Sequence, residues 1–578
     1  MADFDIESLN DNLDAFGLSC PDDDHYVSKL TQICKTYHKD EDCIVDELIV
    51  LLKNSSRMIV NMQILEQLEE KFDQAVQNSA ATPKSVKRPA RAPLTDQTAF
   101  YKTTFTNETE MEVDAKELAN ISLDGKYMDF KPFPPSPVNS AFFKRPDAGS
   151  VTSTQRGSKF VDIDKGIAQT KIGNVIVTSK KPQKRYGGDK TSLAIEAKSR
   201  RFNEMGNILR EAYPEITEWA TPNEPSADTV YRFGQLILDD SKEGEKFGEN
   251  AAALMIDDEQ GSIVNLDFSK LADCVTIFPG QIVALRGENQ TGELFVVDQI
   301  LTPPPPKLAS FEKDCAAEIW FASGPFTSSD NCGYEQLCEL LDNVRDKRPN
   351  VLVLTGPFVD RKNSFLDQPA FTITYDILLE DLMIKIEEKL ENVPIKVILQ
   401  PHASREYGVV PVFPCPELSF LSKRTFNQKF VFVPEPCTVK FSEMSLEMAM
   451  TSSEIITHLS KTEYHRSPEQ ENSDRIARLS SHLLSQRSMY PLEPTAIPSS
   501  LEDVIEVCKI VNAPHIIVTP SVLGPYVKKV NNTVFINPST LGKGSTGTYV
   551  KATINMRSSD AASADSIAEF SNFEICKI

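Results

Sequence analysis

The chain has few of the residues from which metal sites and disulfide frameworks are built. Its 578 residues include seven histidines, which are not clustered, and eleven cysteines, which are scattered without a CxxC pair. This spacing argues against a zinc ribbon and against a disulfide framework. It favours a reducing compartment. We predict no cofactor and no metal.

Signals for membranes and for broad nucleic-acid binding are also absent. The first residues, MADFDIESLND, are acidic and lack an apolar core, so they do not form a secretory signal. No apolar run approaches the length of a membrane span, and we predict no membrane partner. With 61 basic and 83 acidic side chains the net charge is −22, which disfavours phosphate-tracking surfaces and favours basic protein partners.

The length of the chain calls for several folded units, and we predict a multi-domain α+β protein. Residues 1–78 carry apolar side chains at helical spacing, starting with Ile6, Leu9 and Leu13, and predict an N-terminal helical bundle. The bundle either packs only on itself or docks another protein, and the sequence leaves both open.

Residues 79–160 are predicted to form a disordered linker, because prolines accumulate there and apolar periodicity ends. The basic run KSVKRPAR at 84–91 is either a nuclear-localisation patch or a solvated charge run. Thr82 and Ser136 each precede a proline and are candidate phosphorylation sites.

Residues 161–302 are predicted to form an OB-fold domain, a small β-barrel with a preceding helical segment. A helix is expected over 193–209, followed by short strands separated by turns between 227 and 302. OB-folds often bind single-stranded nucleic acid through basic, aromatic grooves. The segment 227–302 has five basic and fourteen acidic residues, so a structural or protein-binding barrel is favoured.

Residues 303–578 are predicted to form an α/β domain, because apolar strands alternate with helical stretches after the prolines at 303–306. Strands are expected at 319–322, 351–354, 395–399, 430–433 and 516–518. Helices are expected at 336–343, 376–390, 473–485 and 501–511.

The segment 351–361, VLVLTGPFVDR, resembles the second metal-binding motif of the calcineurin-like phosphoesterases. Four apolar residues before Thr-Gly fit a buried parallel strand. Pro357 stands where that family has a metal-bridging aspartate, and proline offers no side-chain oxygen to a hard cation.

The other loops that bind metals in that family also lack ligand residues in this chain, and a two-metal site needs ligands from all of these loops. We therefore predict an inactive phosphoesterase-like domain with no catalytic residue. Asp360 and Arg361 are expected to be a turn or helix-capping pair, and His402 a surface or turn histidine. The degenerate positions are Gly324, Phe326, Pro357, Asp360, His402, Pro520 and Val522.

Proline in three of these loops, beside an acidic OB-like barrel, is similar to the B subunits of the replicative DNA polymerases. The likeness covers the barrel and everything after it. It is carried by the strings ASGPFTSSDN (322–331), LTGPFVDRKN (354–363), TSSEIITHLS (451–460), SDRIARLSSHLLSQRSMYPLEP (473–494) and VTPSVLGPYVKKVNNTVFINPSTLGKGSTGTYVK (518–551). The departures are Ser323, where cysteine is common, and Ser539-Thr540, where Gly-Arg is usual.

The resemblance implies a nuclear, non-catalytic scaffold subunit of the polymerase alpha–primase complex, which supports the initiation of DNA replication. Its implied partners are the C-terminal, zinc-binding region of the catalytic subunit and the primase subunits. A further hypothesis is that the N-terminal bundle binds other replication factors. Because of the acidic excess, we expect weak or indirect DNA contact. Two alternatives stay open: a single-strand DNA-binding OB-fold protein, and a metal-dependent phosphoesterase with an unorthodox site.

The lost ligands also lead to an expectation about the surface. Replacement of charged ligands by apolar residues should leave an exposed apolar face, and such faces are rarely kept without a partner. The residues expected on this face are Pro325, Phe326, Pro357, Phe358 and Pro520.

Overall fold

The computed structural model describes parts of the first 69 residues and most of the chain from residue 140 onwards. The described N-terminal residues are 20–21, 23–37, 48, 60–62, 64–66 and 68–69. The segments of 140–578 left undescribed are 164–171, 183–189, 222–224, 239–245, 250, 257–260, 272–273, 293, 369–370, 372, 421, 423, 468–473, 545–546 and 564. The chain divides into two compact units, residues 1–126 and 127–578.

Within the first unit, one helix is described over most of its length. Helix α1 spans Asp24–Tyr37, with Leu30 and Ile33 fully buried. The ammonium group of Lys29 forms a 2.6 Å ion pair with Glu69. The N-terminal helical bundle over 1–78 stays a prediction. Thr82, Ser136 and the basic run 84–91 lie outside the described residues.

The second unit contains the barrel and the α/β domain. Its helices are α2 (Ser140–Phe143), α3 (Thr191–Ala212), α4 (Glu335–Lys347), α5 (Tyr375–Lys389), α6 (Ile455–Thr462), α7 (Arg475–Ser485) and α8 (Leu501–Val507). Its strands are β1 (Val151–Arg156), β2 (Val175–Val177), β3 (Ser226–Leu238), β4 (Ala252–Met255), β5 (Ile263–Asp267), β6 (Val275–Ile277), β7 (Ile282–Asn289), β8 (Leu294–Leu301), β9 (Cys315–Ser323), β10 (Val351–Thr355), β11 (Lys396–Gln400), β12 (Phe430–Phe432), β13 (Cys437–Phe441), β14 (Glu447–Met450), β15 (Tyr464–Arg466), β16 (Ile516–Val518), β17 (Tyr526–Val530), β18 (Thr533–Asn537), β19 (Thr548–Met556) and β20 (Ser571–Lys577). Two 3-10 helices, Ser558–Ser563 and Ile567–Phe570, precede β20.

Strands β3, β4, β5, β8 and β7 close into a barrel in that order. The barrel core is built from alternating inward residues, among them Leu236, Val264 and Phe295. Gly234 in β3 lets β4 approach, because an added Cβ would lie 2.4 Å from the carbonyl oxygen of Met255. The predicted barrel is therefore confirmed, with α3 as its preceding helix.

The α/β domain contains two mixed sheets that stack face to face. The seven-stranded sheet has the order β1-β20-β19-β9-β10-β11-β12, with β9 to β12 parallel. The six-stranded sheet has the order β17-β18-β16-β14-β13-β2, with β14, β16 and β18 parallel. Side chains from both inner faces share one core, which includes Phe321, Val353, Met448 and Ile536.

Helices cover the outer faces of both sheets, so the domain has four layers. Leu352 and Leu354 point away from the inner core and pack with Leu340 of α4 and Leu382 of α5. On the other side, the apolar faces of α6, α7 and α8 share a core with Ala449, Ile517 and Phe535. Strands buried on both faces explain the continuous apolar runs in the sequence.

Two segments that precede the barrel add strands to the α/β domain. Strand β1 pairs with β20 at one edge of the seven-stranded sheet, and β2 pairs with β13 in the six-stranded sheet. Phe142 is buried in the core beneath α4, and Arg145 donates to the carbonyl oxygen of Ile578 at 2.6 Å. This differs from the predicted linker, which extended to 160, because β1 is held by backbone pairing and all six of its side chains are exposed.

The barrel and the α/β domain are joined by buried contacts. Strand β6, next to the barrel, pairs with β15. Phe278, which follows β6, is fully buried among residues of α6 and α7. The amide of Gln486 accepts from the N–H of Ile282 at 2.8 Å and donates to its carbonyl oxygen at 3.0 Å. A search of the described helices finds none long and apolar enough to cross a membrane.

Candidate functional site

The candidate site lies where β9, β10 and β11 end at one edge of the seven-stranded sheet. Thr355 pairs with Ser323 on one side and with Gln400 on the other, so the three following loops start level with one another. The loop after β18 joins them, because the N–H groups of Leu541 and Gly542 donate to the carbonyl oxygens of Ser323 and Pro325.

Gly324 and Pro357 bring the loops after β9 and β10 into direct contact. The N–H of Gly324 donates to the carbonyl oxygen of Thr355 at 2.8 Å. A Cβ at residue 324 would lie 2.0 Å from the carbonyl oxygen of Pro357, so this packing requires glycine. The space between the two loops is therefore filled by backbone.

The expectation that these loops form an exposed apolar face is wrong, because four of its five residues are buried and Pro325 is half-buried. Phe326 and Phe358 are 0% and 1% exposed and stack with ring centroids 5.1 Å apart. Pro357 and Pro520 are also buried. The aromatic rings pack in the core with Leu354 and Leu541, so their apolar surface is removed from water within the chain itself.

Glu406 is the buried carboxylate at the centre of this edge. It is fully buried, and its two oxygens accept from the N–H groups of Phe358 and Val359, each at 2.7 Å. Burial raises the pKa of Glu406 to about 8, although the two N–H donors act in the opposite direction. The carboxylate thus fixes the backbone of the loop that carries Pro357.

Asp360 forms a partly buried ion pair with Arg405. Its Oδ2 lies 2.6 Å from Nη2 of Arg405, and its Oδ1 accepts from the N–H of Lys362 at 3.1 Å, as predicted for a turn residue. Arg361 donates to the carbonyl oxygens of Glu406 and Val409. Both members of the predicted pair therefore connect the loops after β10 and β11.

His402 was predicted to be a surface or turn histidine; it is buried, which excludes the surface position, and it lies at a turn. Its side chain is enclosed after β11, and Nδ1 accepts from the N–H groups of Ser404 and Arg405 at 3.2 and 3.3 Å. Burial lowers the pKa of His402 to about 3, and the charge of Arg405 lowers it further. The imidazole is therefore neutral at physiological pH and caps its own turn.

A second buried carboxylate, Glu435, holds the loop after β14. Its oxygens accept from the hydroxyl groups of Thr451 and Ser453 and from the N–H groups of Ser452 and Ser453, at 2.7–3.0 Å. Burial raises the pKa of Glu435. The hydroxyl of Ser452 then donates to the carbonyl oxygen of Pro401 at 2.8 Å, which connects the edges of the two sheets.

The last two degenerate positions, Pro520 and Val522, lie after β16 and differ in solvent exposure. Pro520 is buried, whereas Val522 is 45% exposed. Asn537 holds this turn, because its side-chain oxygen accepts from the N–H groups of Ser521 and Ser539. Ser539 has φ of 58°, a conformation that favours glycine, the usual residue there in the family that the sequence resembles.

The arrangement does not fit a two-metal centre. Asp360, Glu406 and Glu435 have their oxygens occupied by arginine, by backbone N–H groups or by hydroxyl groups. Across the described residues, no group of three or more His, Cys, Asp or Glu side chains is placed to hold a metal ion. The hydrogen bonds at this edge hold the loops to one another.

Glu406 and Glu435 were missed from the sequence. Each lies in a loop with proline nearby, after a strand, without a motif that marks it as buried. A weak signal was present, since Glu435 stands between two prolines at a predicted strand end.

Comparison with family models assigns three segments of the chain. Residues 7–74 match the N-terminal region of the B subunit of DNA polymerase alpha, and residues 196–303 match the OB domain of that subunit. Residues 319–528 match the model for the B subunits of DNA polymerases alpha and epsilon. The OB assignment agrees with the closed barrel.

Curated relatives agree with the family models. The chain is 46% identical to the DNA polymerase alpha B subunit of Caenorhabditis elegans, over all of both chains. It is 24% identical to the mouse protein of that name, over 94% of each chain. The protein of that name from Schizosaccharomyces pombe is 29% identical over 58% of this chain and 61% of its own length.

Proposed function

Because the chain belongs to the family of DNA polymerase alpha B subunits, we propose that it is a non-catalytic scaffold subunit of the polymerase alpha–primase complex. The scaffold holds the C-terminal, zinc-binding region of the catalytic subunit, and through it the primase subunits. The observation that carries this proposal is that Glu406, Asp360 and Glu435 each hold a loop in place at the edge where a phosphoesterase would hold metals.

The junction between the barrel and the α/β domain further supports a scaffold. The buried Gln486 and Phe278 fix one domain against the other, so a partner that touches both finds a preorganised surface. The net charge of −22 favours a basic protein domain and speeds its encounter, whereas it repels phosphate backbones. We therefore expect weak or indirect contact with DNA.

Co-expression of the full chain with the C-terminal region of the catalytic subunit tests the proposal. The two should elute together from gel filtration at physiological salt, with an interface that buries more than roughly 2,000 Å² if it is obligate. In a titration with single-stranded DNA, the chain alone should bind weakly. Separate elution of two folded proteins, together with tight DNA binding by this chain, would favour the single-strand DNA-binding alternative.

A second expected result concerns catalysis. After dialysis the purified chain should hold no stoichiometric Mn²⁺ or Zn²⁺ by elemental analysis, and it should hydrolyse phosphomono- and phosphodiesters at the rate of the blank. The physical reason is that the carboxylates at this edge already have partners. Two tightly bound metal equivalents, with activity lost in Asp360→Ala or His402→Ala, would show a phosphoesterase with an unorthodox site.

Two further proposals concern location and recruitment. Membership of a replicative polymerase family supports residence in the nucleus, which imaging of the tagged chain would check.

The N-terminal residues 1–78 are proposed to dock other replication factors. Deleting them should abolish that recruitment while the complex with the catalytic subunit stays assembled.

A further inference from the structure

A cleft of about 350 Å³ lies between α3 on one side and α8 with the segment that follows it on the other. Its apolar lining, called the wall below, consists of Met205 and Ile208 of α3 and of Ile505 and Ile510. Val511, at the rim, is 68% exposed, the largest exposed fraction among the large apolar side chains described. A bulky side chain placed against this wall would remove apolar surface from water.

Two arginines, Arg201 of α3 and Arg487, which follows α7, line the same cleft. Each makes one hydrogen bond to a backbone carbonyl: Arg201 to Gln486 at 3.1 Å and Arg487 to Pro304 at 3.5 Å. The Nε atom of Arg487 is enclosed and has no hydrogen-bond partner within the described part of the chain. Burial lowers the pKa of both guanidinium groups.

The acidic residues around the cleft are already paired with other cations. Glu204 binds Lys509 at 2.6 Å, Glu506 binds Arg200 at 3.4 Å, and Glu493 binds Lys198 at 2.8 Å. Among the residues that the structure describes, no carboxylate comes within 4 Å of Arg201 or Arg487. The charges of Glu493 and Glu204 act against the effect of burial on the pKa of Arg201, and the charge of Glu211 does the same for Arg487. None of these three carboxylates contacts either guanidinium group, so a carboxylate that binds both would add charge-assisted hydrogen bonds.

We infer that this cleft binds an acidic segment of another subunit, with a carboxylate between Arg201 and Arg487 and an adjacent bulky apolar side chain on the wall at Ile505 and Val511. The inference rests on the proposed function, because it needs an assembled complex. A peptide is favoured over nucleic acid because the apolar lining of the cleft suits a bulky apolar side chain, which a phosphate backbone does not have.

Photo-cross-linking from residue 511 tests the inference in the complete complex. The full chain, with p-benzoylphenylalanine in place of Val511, is co-expressed with the other subunits, and assembly is confirmed by gel filtration before illumination. We expect one main cross-linked peptide, from another subunit, that contains Asp or Glu beside bulky apolar residues. An assembled complex with no cross-link, a cross-linked peptide without acidic residues, or a cross-link to DNA would overturn the inference.

Charge reversal separates the arginines from the rest of the cleft. In the cross-linking chain, Arg487→Glu should lower the cross-link yield at least tenfold, and the milder Arg487→Gln severalfold, while the complex stays assembled. Lys347→Glu makes the same charge change at an exposed site on α4 and should leave the yield unchanged. An unchanged yield in both Arg487 variants would overturn the inference, whereas failure of every chain to assemble would instead contradict the proposed function.

Discussion

Replacing Glu406 with alanine is expected to lower the free energy of unfolding of the second unit by about 3–5 kcal/mol, since each unsatisfied buried group costs roughly 1–3 kcal/mol. The variant leaves the N–H groups of Phe358 and Val359 buried without an acceptor. It also leaves a cavity beside Gly356, because a Cβ added at that glycine would lie 2.7 Å from the carboxylate. Denaturant unfolding followed by fluorescence of the buried Trp320 measures the change.

Glu388→Ala is the matched control, because Glu388 is exposed on α5. It should change stability by less than about 0.5 kcal/mol, as is usual for surface substitutions. Equal stability of Glu406→Ala and Glu388→Ala would contradict the role that we assign to Glu406. It would mean that water or a rearranged loop satisfies both N–H groups.

The stability supplied by Glu406 should also depend on pH. Its pKa is about 8 in the folded chain and near 4.5 when unfolded, so its contribution is full below pH 4.5 and is lost as the pH rises to about 8. The wild type should therefore become less stable between pH 6.5 and 8. In Glu406→Gln, the free energy of unfolding should fall less steeply as the pH rises. Part of the fall should remain in this variant, because burial also raises the pKa of Glu435. The lowered pKa of His402 changes the free energy of unfolding only below pH 6.5, outside this range.

The second large effect is expected at the junction between the two domains. Phe278→Ala should cost about 3–5 kcal/mol, because it removes a fully buried ring from a core shared with α6 and α7. The centroid of the Phe278 ring lies 4.7 Å from that of His482, so the variant removes packing contacts on the α/β side as well as beside the barrel. The variant should also be cleaved faster by proteases between the barrel and the α/β domain.

Phe143→Ala provides the control, since that ring is 63% exposed in α2 and should contribute little. Limited proteolysis and denaturant unfolding are compared for the two variants and the wild type. Cleavage of Phe278→Ala at the wild-type rate, with unchanged stability, would show that Phe278 does not hold the junction.

The parts of the fold that the sequence predicted share one physical property, which is a face buried against another element. Strands over 351–354 and 516–518 were predicted within one residue of β10 and β16, because their residues are buried on both faces. Helix α5 was predicted within one residue at each end, because its apolar face packs under a sheet. Strand β1 was missed, since its six exposed residues carry no apolar alternation and only backbone pairing defines it.

The position of the candidate site could be predicted from the sequence, but the burial of its side chains could be predicted only in part. A strand followed by Gly-Pro placed residues 324 and 357 correctly at one edge, since parallel strands deliver their carboxyl ends together. Burial of Phe326 and Phe358 depends on the loop after β18 and on Glu406, which lie far from these two residues in sequence. Periodicity within a segment carries no information about such contacts.

The pairing of β1 with β20 has a consequence for how the chain is made. Val151 lies opposite Cys576 in this ladder, so the ribosome synthesises one partner of the pair long before the other. The parallel strands β9 to β12 emerge while the edge formed by β19 and β20 is still untranslated. The nascent α/β domain therefore exposes an unpaired sheet edge until β19 and β20 have been synthesised, and such edges recruit chaperones or other strands.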